Sequence, residues 1–439
     1  MDRNRQARIA GIRTPLTPPI AAPVLVGYSG GMDSTVLLHA LASDPRMRAQ
    51  GLQAIHVHHG LQPQADAWAA HCRDVCTAMA VPLRIEHVQV DATTGEGLEA
   101  AARRARYATF GLCMAENGIL ALAHHSDDQA ETFLLRALRA SSVDGLAAMQ
   151  PWRAHRRGWL WRPLLAHARE DLRAYAQTHG LHWIEDPSNA AADARRNFLR
   201  NVVLPLLRQQ WPQADVALAR SAELSGQAAT LLREQDLALL RQALDPDAPQ
   251  RLPIAAVSAM PAAQRARVLR AWIDALHLPP LPGSGLAVIE QELLAAPADA
   301  QAAFVWRDAR IVRWRGDLYA LRGEPKSLPH QWSAQWDGRE PLLLPSGDTL
   351  RLEGADAFDT LLHVRARRGG ERIVLPGRTH SHALKHVLQE RGVAPWQRAA
   401  LPLLCDATGT VLAAGEILSG RLQAWLHENH ARLRLLRAV

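Results

Sequence analysis

The sequence predicts an α/β protein: a doubly wound parallel sheet from Ala22 to about Gln210, then a helical middle region and a small α+β region at the carboxyl end. Three observations predict this class. Short apolar runs alternate with longer amphipathic runs up to about Leu122, a long stretch rich in Ala and Leu begins at Gln213, and two pairs of apolar runs flank turn residues near the carboxyl end. The alternation of strand-length and helix-length patterns is typical of a parallel sheet covered by helices.

Four apolar runs of strand length define the predicted sheet. They are Val24–Tyr28, Ala54–His58, Leu83–Val88 and Ile119–Ala123. The stretches between and after them have a helical period, which predicts the helices Thr35–Ala42, Ala65–Met79, Gly97–Glu116, Asp127–Leu138, Ala168–His179 and Arg195–Gln209. Sheets of this kind bind ligands at the carboxyl ends of their strands. Functional residues are therefore expected in the turns that follow the strands.

The rest of the chain divides at two places. A Trp-Pro pair at residues 211 and 212 interrupts the helical pattern, and Gln213–Leu244 then predicts a long helix that opens the middle region. A polar connector follows, and the hairpins Leu342–Leu352 and Leu403–Leu412 predict the small α+β region. The predicted domains are residues 1–211, 212–330 and 335–439.

Charge and composition narrow the function classes. The 439 residues carry a formal charge of +7, which suits a polyanionic partner such as nucleic acid, although such a charge can also serve solubility alone. The four cysteines are too few for a disulfide framework, which indicates a reducing compartment. No run approaches the ~20 apolar residues of a membrane helix, and the first residues lack the apolar core of a signal peptide. We therefore expect a cytoplasmic protein without a membrane partner.

The turn after the first predicted strand has the pattern Ser-Gly-Gly-x-Asp-Ser. Its residues, all assigned to ATP binding, are Ser29, Gly30, Gly31, Met32, Asp33 and Ser34. Glycines in such a turn can adopt a positive φ and present backbone N–H groups to an anion, and we expect this of both Gly30 and Gly31. The next helix directs its positive dipole end at the same place, and the serines add hydroxyl donors. The turn is predicted to bind a polyphosphate.

Asp33 is the unexpected member of this turn, because a carboxylate should not face an anionic phosphate without a cation between them. We infer a Mg²⁺ ion that bridges Asp33 and the leaving pyrophosphate. The structural alternative is that Asp33 caps the helix. No lysine follows the glycines, so the turn differs from the GxxxxGKS loop of P-loop nucleotide hydrolases.

A second polar cluster begins at His124, directly after the fourth predicted strand. Asp128 and Glu131 are three residues apart and share one helix face, so two carboxylates should project from the same sheet edge as Asp33. Three acids around one pocket suit Mg²⁺ or a substrate ammonium. Zinc is a weaker alternative, because adjacent His side chains point apart and no third ligand has a suitable spacing. Helix capping is the structural alternative for Asp127 and Asp128.

The turn Ser29–Ser34 resembles the PP-loop of ATP pyrophosphatases, which cleave ATP between the α and β phosphates and transfer AMP to a substrate oxygen. Five further blocks are similar, in order and spacing, to the tRNA(Ile)-lysidine synthetase family. They are His124–Thr132, Gly145-Leu146, Arg162–Leu165, Glu185–Asn189 and Arg196–Arg200. The resemblance implies that the doubly wound sheet is a PP-loop nucleotide-binding domain.

The reaction of that family is what the resemblance implies for this chain. The carbon-2 oxygen of the wobble cytidine in tRNA(Ile), whose anticodon is CAU, attacks the α-phosphate of ATP and releases pyrophosphate. The ε-amine of free L-lysine then displaces AMP and leaves lysidine, which changes the codon read from AUG to AUA. The expected cofactors and partners are ATP, Mg²⁺, free L-lysine and tRNA(Ile). The sequence leaves a homodimer open.

Catalytic roles follow from that implied chemistry. Arg103 or Arg106, in a stretch like the family's own, is expected to stabilise charge at the α-phosphate. Asp128 or Glu131 is expected to bind the lysine ammonium and to accept its proton. Asp33 completes the implied catalytic set.

Substrate contacts are implied in two places. His124, Asp127, Asn197 and Arg200 are assigned to the substrate pocket, although the last two could equally be helix-surface residues. Near the carboxyl end Arg368, Lys385 and Arg398, interleaved with Trp396, suit contact with the tRNA backbone and stacking on a base. A solvated charged face is the alternative there.

One departure and two rival functions stand beside the resemblance. The family usually has a glycine-rich turn before Gly145, whereas this chain has Arg139-Ala140-Ser141-Ser142, which cannot follow a positive φ as cheaply. A PP-loop tRNA thiolase is one rival, but such enzymes commonly carry cysteine pairs and this chain has no C-x-x-C. The other rival is a non-catalytic basic tRNA-binding protein, and the presence of Asp33, Asp128 and Glu131 argues against it.

Overall fold

The computed structural model describes residue 12 and residues 16–90, 97–185, 195–297, 302–324 and 327–437. The chain forms two compact units, Met1–Glu234 and Gln235–Val439. The block Asp186–Asn189, part of the resemblance, lies outside the described residues. The division into domains 1–211, 212–330 and 335–439 stays a prediction.

A six-stranded sheet forms the centre of the first unit. Its strands are β1 (Val24–Gly27), β2 (Gln53–His58), β3 (Leu83–His87), β4 (Ile119–Ala121), β5 (Trp152–His155) and β6 (Gly158–Trp161). They lie in the order β3-β2-β1-β4-β6-β5, and every neighbouring pair is parallel except β5 with β6. The chain passes to the other side of β1 between β3 and β4, so the border between β1 and β4 is the switch point of a doubly wound sheet. The predicted fold class is confirmed.

Helices follow most strands of this sheet. They are α1 (Met32–Ala42), α2 (Pro45–Ala49), α3 (Ala65–Ala78), α4 (Leu98–Cys113), α5 (Ser126–Ala137), α6 (Val143–Leu146), α7 (Arg169–Thr178), α8 (Arg195–Phe198), α9 (Leu204–Gln210) and the long α10 (Ala214–Ala243). Neighbouring side chains of β1 enter two different cores: Val26 shares one with Leu37 of α1, and Leu25 shares the other with Phe110 of α4. Burial on both faces explains why β1 and β4 are continuous apolar runs, whereas the edge strand β3 alternates apolar and polar residues and is only partly buried.

Two local features of the first unit differ from the prediction. The expected helix Arg195–Gln209 is divided into α8, a π-helical turn at Leu199–Val203, and α9. Single π-helical turns concentrate at functional sites. The hairpin of β5 and β6 was not predicted, because β5 has the sequence Trp-Arg-Ala-His, which is too short and polar to stand out as a strand.

The turn that departs from the family's glycine-rich pattern keeps a left-handed residue. Ala140 has a φ of +51°. The backbone N–H groups of Ala140 and Ser141 donate to the carbonyls of Ala137 and Arg136, which closes the end of α5. An L-residue in this conformation costs about 1–2 kcal/mol relative to glycine. Alanine therefore keeps the left-handed position at a higher cost than glycine, in line with the expectation that this turn follows a positive φ less cheaply.

The second unit begins with helices and a four-stranded antiparallel sheet. The strands, in the order β7-β10-β9-β8, are β7 (Arg251–Pro253), β8 (Ala303–Trp306), β9 (Ala309–Trp314) and β10 (Asp317–Arg322). The helices are α11 (Ile254–Ser258), α12 (Ala262–Ala275), α13 (Gly283–Val288) and a π-helical turn at Ile289–Leu294. The helices confirm the predicted helical region. The sheet was not predicted, although side chains of β9 alternate between buried and half-buried, the period of a strand.

Two sheets and three helices make up the remainder of the second unit. One sheet contains β11 (Ser333–Trp336), β14 (Leu362–Arg365), β15 (Arg372–Ile373), β16 (His382–Ala383), β17 (Leu403–Cys405), β18 (Val411–Ala414) and β19 (Ile417–Leu418), and the other contains β12 (Leu342–Leu343), β13 (Thr349–Glu353) and β20 (Arg432–Leu436). The helices are α14 (Leu384–Glu390), α15 (Pro395–Arg398) and α16 (Gly420–Glu428). Both predicted hairpins are confirmed, as β12 with β13 and β17 with β18. Strand β11 lies where a connector was expected.

Across the described parts of both units, we find no helix with the length and apolarity required to cross a membrane.

Candidate functional site

Two polar turns meet at the carboxyl edge of the first sheet. Strands β1 and β4 are parallel neighbours, with Val26 paired to Ala121 near their ends. The turns that follow them leave the sheet side by side, and α1 and α5 begin directly after those turns. The amino ends of two helices, each with a positive partial charge, therefore face the same edge.

The two glycines of the first turn have different backbone conformations. Gly30 has a φ of +83°, whereas Gly31 has a φ of −75° and a ψ of 164° as the residue before α1. The expectation of a positive φ was therefore wrong for Gly31, because an extended residue is what begins the helix here. The carbonyl of Gly31 accepts hydrogen bonds from the hydroxyls of Ser34 and Thr35, at 2.9 and 3.0 Å.

The side chains of this turn point in different directions. The hydroxyls of Ser29 and Ser34 lie 3.1 Å apart and hydrogen-bond to each other. The side chain of Met32 is buried in the core of the sheet. Contact between Met32 and a nucleotide would thus have to come from its main chain.

Replacing Gly30 by Ala is expected to destabilise the protein, whereas the same change at Gly31 is not. A Cβ at Gly30 would lie 2.8 Å from Cδ1 of Ile184 and 3.0 Å from Sγ of Cys72, at a positive φ. Strain and overpacking together cost roughly 1–3 kcal/mol. A Cβ at Gly31 would meet nothing closer than 3.5 Å. Thermal melting of the two variants tests this, and equal shifts in Tm would contradict the assigned backbone.

The second turn leads to two buried carboxylates balanced by two arginines. Glu131 has no exposed surface. Nε of Arg196 donates to its Oε2 at 2.8 Å, and Arg200 donates to both of its oxygens at 2.5 and 3.0 Å. Arg200 also donates to Oδ1 of Asp128 at 3.0 Å. Burial opposes ionisation of Asp128, but the positive charges of His125 and the two arginines keep its pKa below the usual value.

His125, the residue before α5, lies among three carboxylates and is only 2% exposed. Its Nε2 is 3.3 Å from Oδ2 of Asp128 and 3.7 Å from Oδ2 of Asp33, and its Nδ1 is 3.7 Å from Oδ1 of Asp127. Burial alone would lower the pKa of His125, but Asp127, Asp33 and Asp128 raise it to about 10. The pKa of Asp127 is about 2, because His125 and Arg208 outweigh its burial.

Asp33 reaches this cluster from the first turn. Besides His125, its carboxylate faces Nε of Arg169 at 3.7 Å. Its Oδ1 is buried and accepts no hydrogen bond from the described residues. The cation that this oxygen faces, Nε of Arg169, lies beyond hydrogen-bonding distance, so Oδ1 of Asp33 can accept a closer partner when the site is loaded.

The predicted catalytic arginines, Arg103 and Arg106, lie on α4. Arg103 stacks over the ring of Tyr107, with its guanidinium carbon 5.0 Å from the ring centre. Nε of Arg106 lies 3.3 Å from Nε2 of His59.

His124 accepts a hydrogen bond from Nε of Arg162 at 3.2 Å. Burial lowers the pKa of His124 to about 3, so its ring is neutral.

The chain resembles known proteins over most of its length, well beyond the residues of this site. Family models match residues 3–207 as a PP-loop domain, residues 252–319 as a TilS substrate binding domain and residues 362–435 as a TilS substrate C-terminal domain. The tRNA(Ile)-lysidine synthase of Xanthomonas axonopodis pv. citri (strain 306) is 56% identical over 95% of this chain and 94% of its own. The chain belongs to the tRNA(Ile)-lysidine synthase family.

Other relatives of the same name support this membership. The tRNA(Ile)-lysidine synthase of Xylella fastidiosa (strain 9a5c) is 52% identical over 96% of both chains. That of Pseudomonas putida is 44% identical over 93% of this chain and 96% of its own. As a tRNA(Ile)-lysidine synthase family member, the chain is a ligase with an ATP-binding PP-loop domain. The family resemblance drawn from the sequence motifs is confirmed.

The family's substrate-binding regions contain the remaining predicted residues. Arg368 and Lys385 are exposed, and Arg398 is half-buried with its Nε donating to the carbonyl of Val393 at 2.8 Å. Trp396 packs edge-on against Tyr319, with ring centres 5.1 Å apart. Trp396 therefore contacts another aromatic side chain of the same unit, and its predicted stacking on a base stays a prediction.

Several residues of the candidate site were missed by sequence reasoning. Asn197 and Arg200 were predicted, and they lie on the segment that covers the two acids. Arg196, which donates to Glu131 from the same segment, was named only as the start of a family block. Its spacing of four from Arg200 on a helical segment was a usable signal. His125 was considered only as a zinc ligand, because its contacts depend on how β1 and β4 pair.

Proposed function

We propose that the chain forms lysidine on the wobble cytidine of tRNA(Ile) with a CAU anticodon, using ATP and free L-lysine. The observation that carries the proposal is the meeting of the phosphate turn with the buried acids Asp128 and Glu131 at one switch point. Adenylation of the cytidine requires the phosphate turn, and capture of an amine requires the buried acids. Family membership supports the same reaction.

The residues of the first turn fit the adenylation step. The main chain of Gly30 and Gly31 and the amino end of α1 would hold the phosphates of ATP. The unpartnered Oδ1 of Asp33 fits a cation, which would be Mg²⁺. When bound, Mg²⁺ supplies charge neutralisation at the phosphate oxygens. The carbon-2 oxygen of cytidine bonds to the α-phosphorus, and the bond to pyrophosphate breaks, with Arg103 or Arg106 compensating the developing charge.

The acids of the second turn fit the lysine step. The amine nitrogen bonds to carbon 2, the bond from carbon 2 to the AMP oxygen breaks, and a proton passes to a carboxylate. Arginines hold both oxygens of Glu131, whereas Asp128 contacts Arg200 through Oδ1 and His125 through Oδ2. The side chain of Asp128 is 13% exposed and that of Glu131 only 1%, so Asp128 is the more accessible acid. We therefore place the ammonium nearer Asp128, with Glu131 holding Arg196 and Arg200 in position. His124, Asp127 and Asn197 line the same pocket in this proposal.

Nucleoside analysis tests the function directly. The purified protein is incubated with ATP, L-lysine and an unmodified tRNA(Ile) transcript, and the digested product is examined by mass spectrometry. A lysine adduct on cytidine supports the proposal. A sulfur-containing pyrimidine would instead support a thiolase, and tRNA binding without release of pyrophosphate would support a non-catalytic binding protein.

The exposed cations of the second unit are proposed to contact the tRNA backbone. Each cation removed from a phosphate should reduce the slope of log affinity against log salt by about 1. Arg368→Ala combined with Lys385→Ala is therefore expected to weaken tRNA binding and flatten that slope by about 2. Anisotropy titrations at several salt concentrations measure it. Arg351→Ala combined with Arg432→Ala, at two other exposed arginines of the unit, is the matched control, and an equal loss in that variant would point to net charge alone.

A further inference from the structure

The imidazole of His125 joins two turns that come from different strands. His125 follows β4, and Asp33 follows β1 in the first turn of α1. Nε2 of His125 lies 3.3 Å from Oδ2 of Asp128 and 3.7 Å from Oδ2 of Asp33. The backbone N–H of His125 also donates to Oδ2 of Asp128, at 3.2 Å. The ring is therefore anchored to α5 through Asp128 and reaches the phosphate turn through Asp33.

Two buried polar atoms at this junction have no hydrogen-bond partner among the described residues. They are Nδ1 of His125 and Oδ1 of Asp33. Native proteins leave few such atoms, and each one calls for a cause. Each faces a charged atom only at 3.7 Å, Oδ1 of Asp127 for Nδ1 and Nε of Arg169 for Oδ1, so each can take a closer partner that binds at this junction.

We propose that His125 is a positioning residue that sets the placement of the Asp33 carboxylate relative to that of Asp128. The inference rests on the proposed function, in which Asp33 serves the ATP step and Asp128 the lysine step. His125 itself need touch neither ATP nor lysine. Its role is to hold the carboxylates of Asp33 and Asp128, which belong to separate turns, at the separation that the two steps require.

Little else restrains Asp33 in the described part of the chain. Its other ion-pair partner is Arg169, whose side chain is 44% exposed, and the distance to Nε is 3.7 Å. Exposed ion pairs of this kind contribute little to holding a side chain in place. The buried ring of His125 is packed and cannot move freely. Without it, Asp33 can rotate, and a displacement of about 1 Å at a reacting centre can cost about 100-fold in rate.

The test compares His125→Leu, which removes the ring nitrogens, with His125→Gln, whose amide N–H can take the place of Nε2. Binding of α,β-methylene ATP, which resists cleavage at the reacting bond, is measured by calorimetry with and without Mg²⁺. We expect His125→Leu to bind the analogue with unchanged affinity in the absence of Mg²⁺. The increase in affinity that Mg²⁺ provides should be about tenfold smaller in this variant than in the unaltered protein. KM for lysine should rise in the same variant. His125→Gln should recover most of both effects.

His39→Leu is the matched control. His39 lies on α1, the helix of Asp33, but its Nδ1 contacts the hydroxyl of Tyr175 at 3.0 Å, outside the candidate site. It should keep the full Mg²⁺ gain. The positioning role is overturned if His125→Leu keeps that gain, or if it loses the Mg²⁺-free binding as well, since that would indicate general damage. Absence of any gain in the unaltered protein would overturn the role proposed for Asp33, and the inference with it.

Discussion

Asp33→Asn is expected to reduce pyrophosphate release by about a thousandfold or more, with little change in stability. The amide keeps the shape of the side chain but loses the charge that would hold Mg²⁺. Oδ1 of Asp33 accepts no hydrogen bond from the described residues, and its ion-pair distances to His125 and Arg169 are both 3.7 Å. Asp127 and Asp128 still balance the charge of His125 in this variant, so the folded state depends less on Asp33 than the proposed chemistry does.

The measurement is pyrophosphate release in the presence of ATP, L-lysine and the tRNA(Ile) transcript, together with Tm. Asp66→Asn is the control, because Asp66 lies on α3 with a side chain that is 94% exposed and a single ion pair to His58. It removes the same charge from the same unit and should leave turnover unchanged. Near-normal turnover in Asp33→Asn would rule out the metal role.

The positions of the first strands were predictable because their burial leaves a direct trace in the sequence. Val24–Tyr28 was predicted and Val24–Gly27 is observed, and the other three predicted strands agree to within a few residues. Strands β1 and β4 are buried on both faces and apolar throughout, whereas the edge strand β3 shows the alternation of a half-buried strand. The strand β9 was missed because its arginines mask an alternation that is nevertheless present in its burial.

The partners of the acids were not predictable from local pattern. Arg196 lies 65 residues from Glu131 in sequence, and Arg200 lies 72 from Asp128. Helical spacing placed Asp128 and Glu131 on one face, but it could not show what covers that face. That depends on how the segment after α7 returns to the sheet edge, which is a tertiary property. Similarly, only the pairing of β1 with β4 brings His125 to Asp33.

The contacts of Arg196 and Arg200 with Glu131 predict the second large effect, which is a loss of stability when Glu131 is replaced. Glu131→Gln is expected to lower the free energy of unfolding of the first unit by about 3–5 kcal/mol, because removing one member of a buried charge cluster leaves the others uncompensated. Glu131 is fully buried and accepts three hydrogen bonds from Arg196 and Arg200, whose side chains are 26% and 29% exposed. Urea unfolding and Tm measure the loss. Glu223→Gln is the control, since its ion pair with Arg220 is 56% exposed on both sides and should contribute less than about 1 kcal/mol.

The combined variant Glu131→Gln with Arg196→Gln separates charge balance from the loss of a single bond. If Glu131 serves mainly to neutralise the arginines, removing one positive charge should return part of the stability that Glu131→Gln removes, giving a coupling energy between the two sites. Additive losses would instead show that each side chain acts alone. In that case Glu131 would not be needed to balance Arg196, and a direct role of Glu131 in binding the lysine ammonium would be favoured over the placement near Asp128.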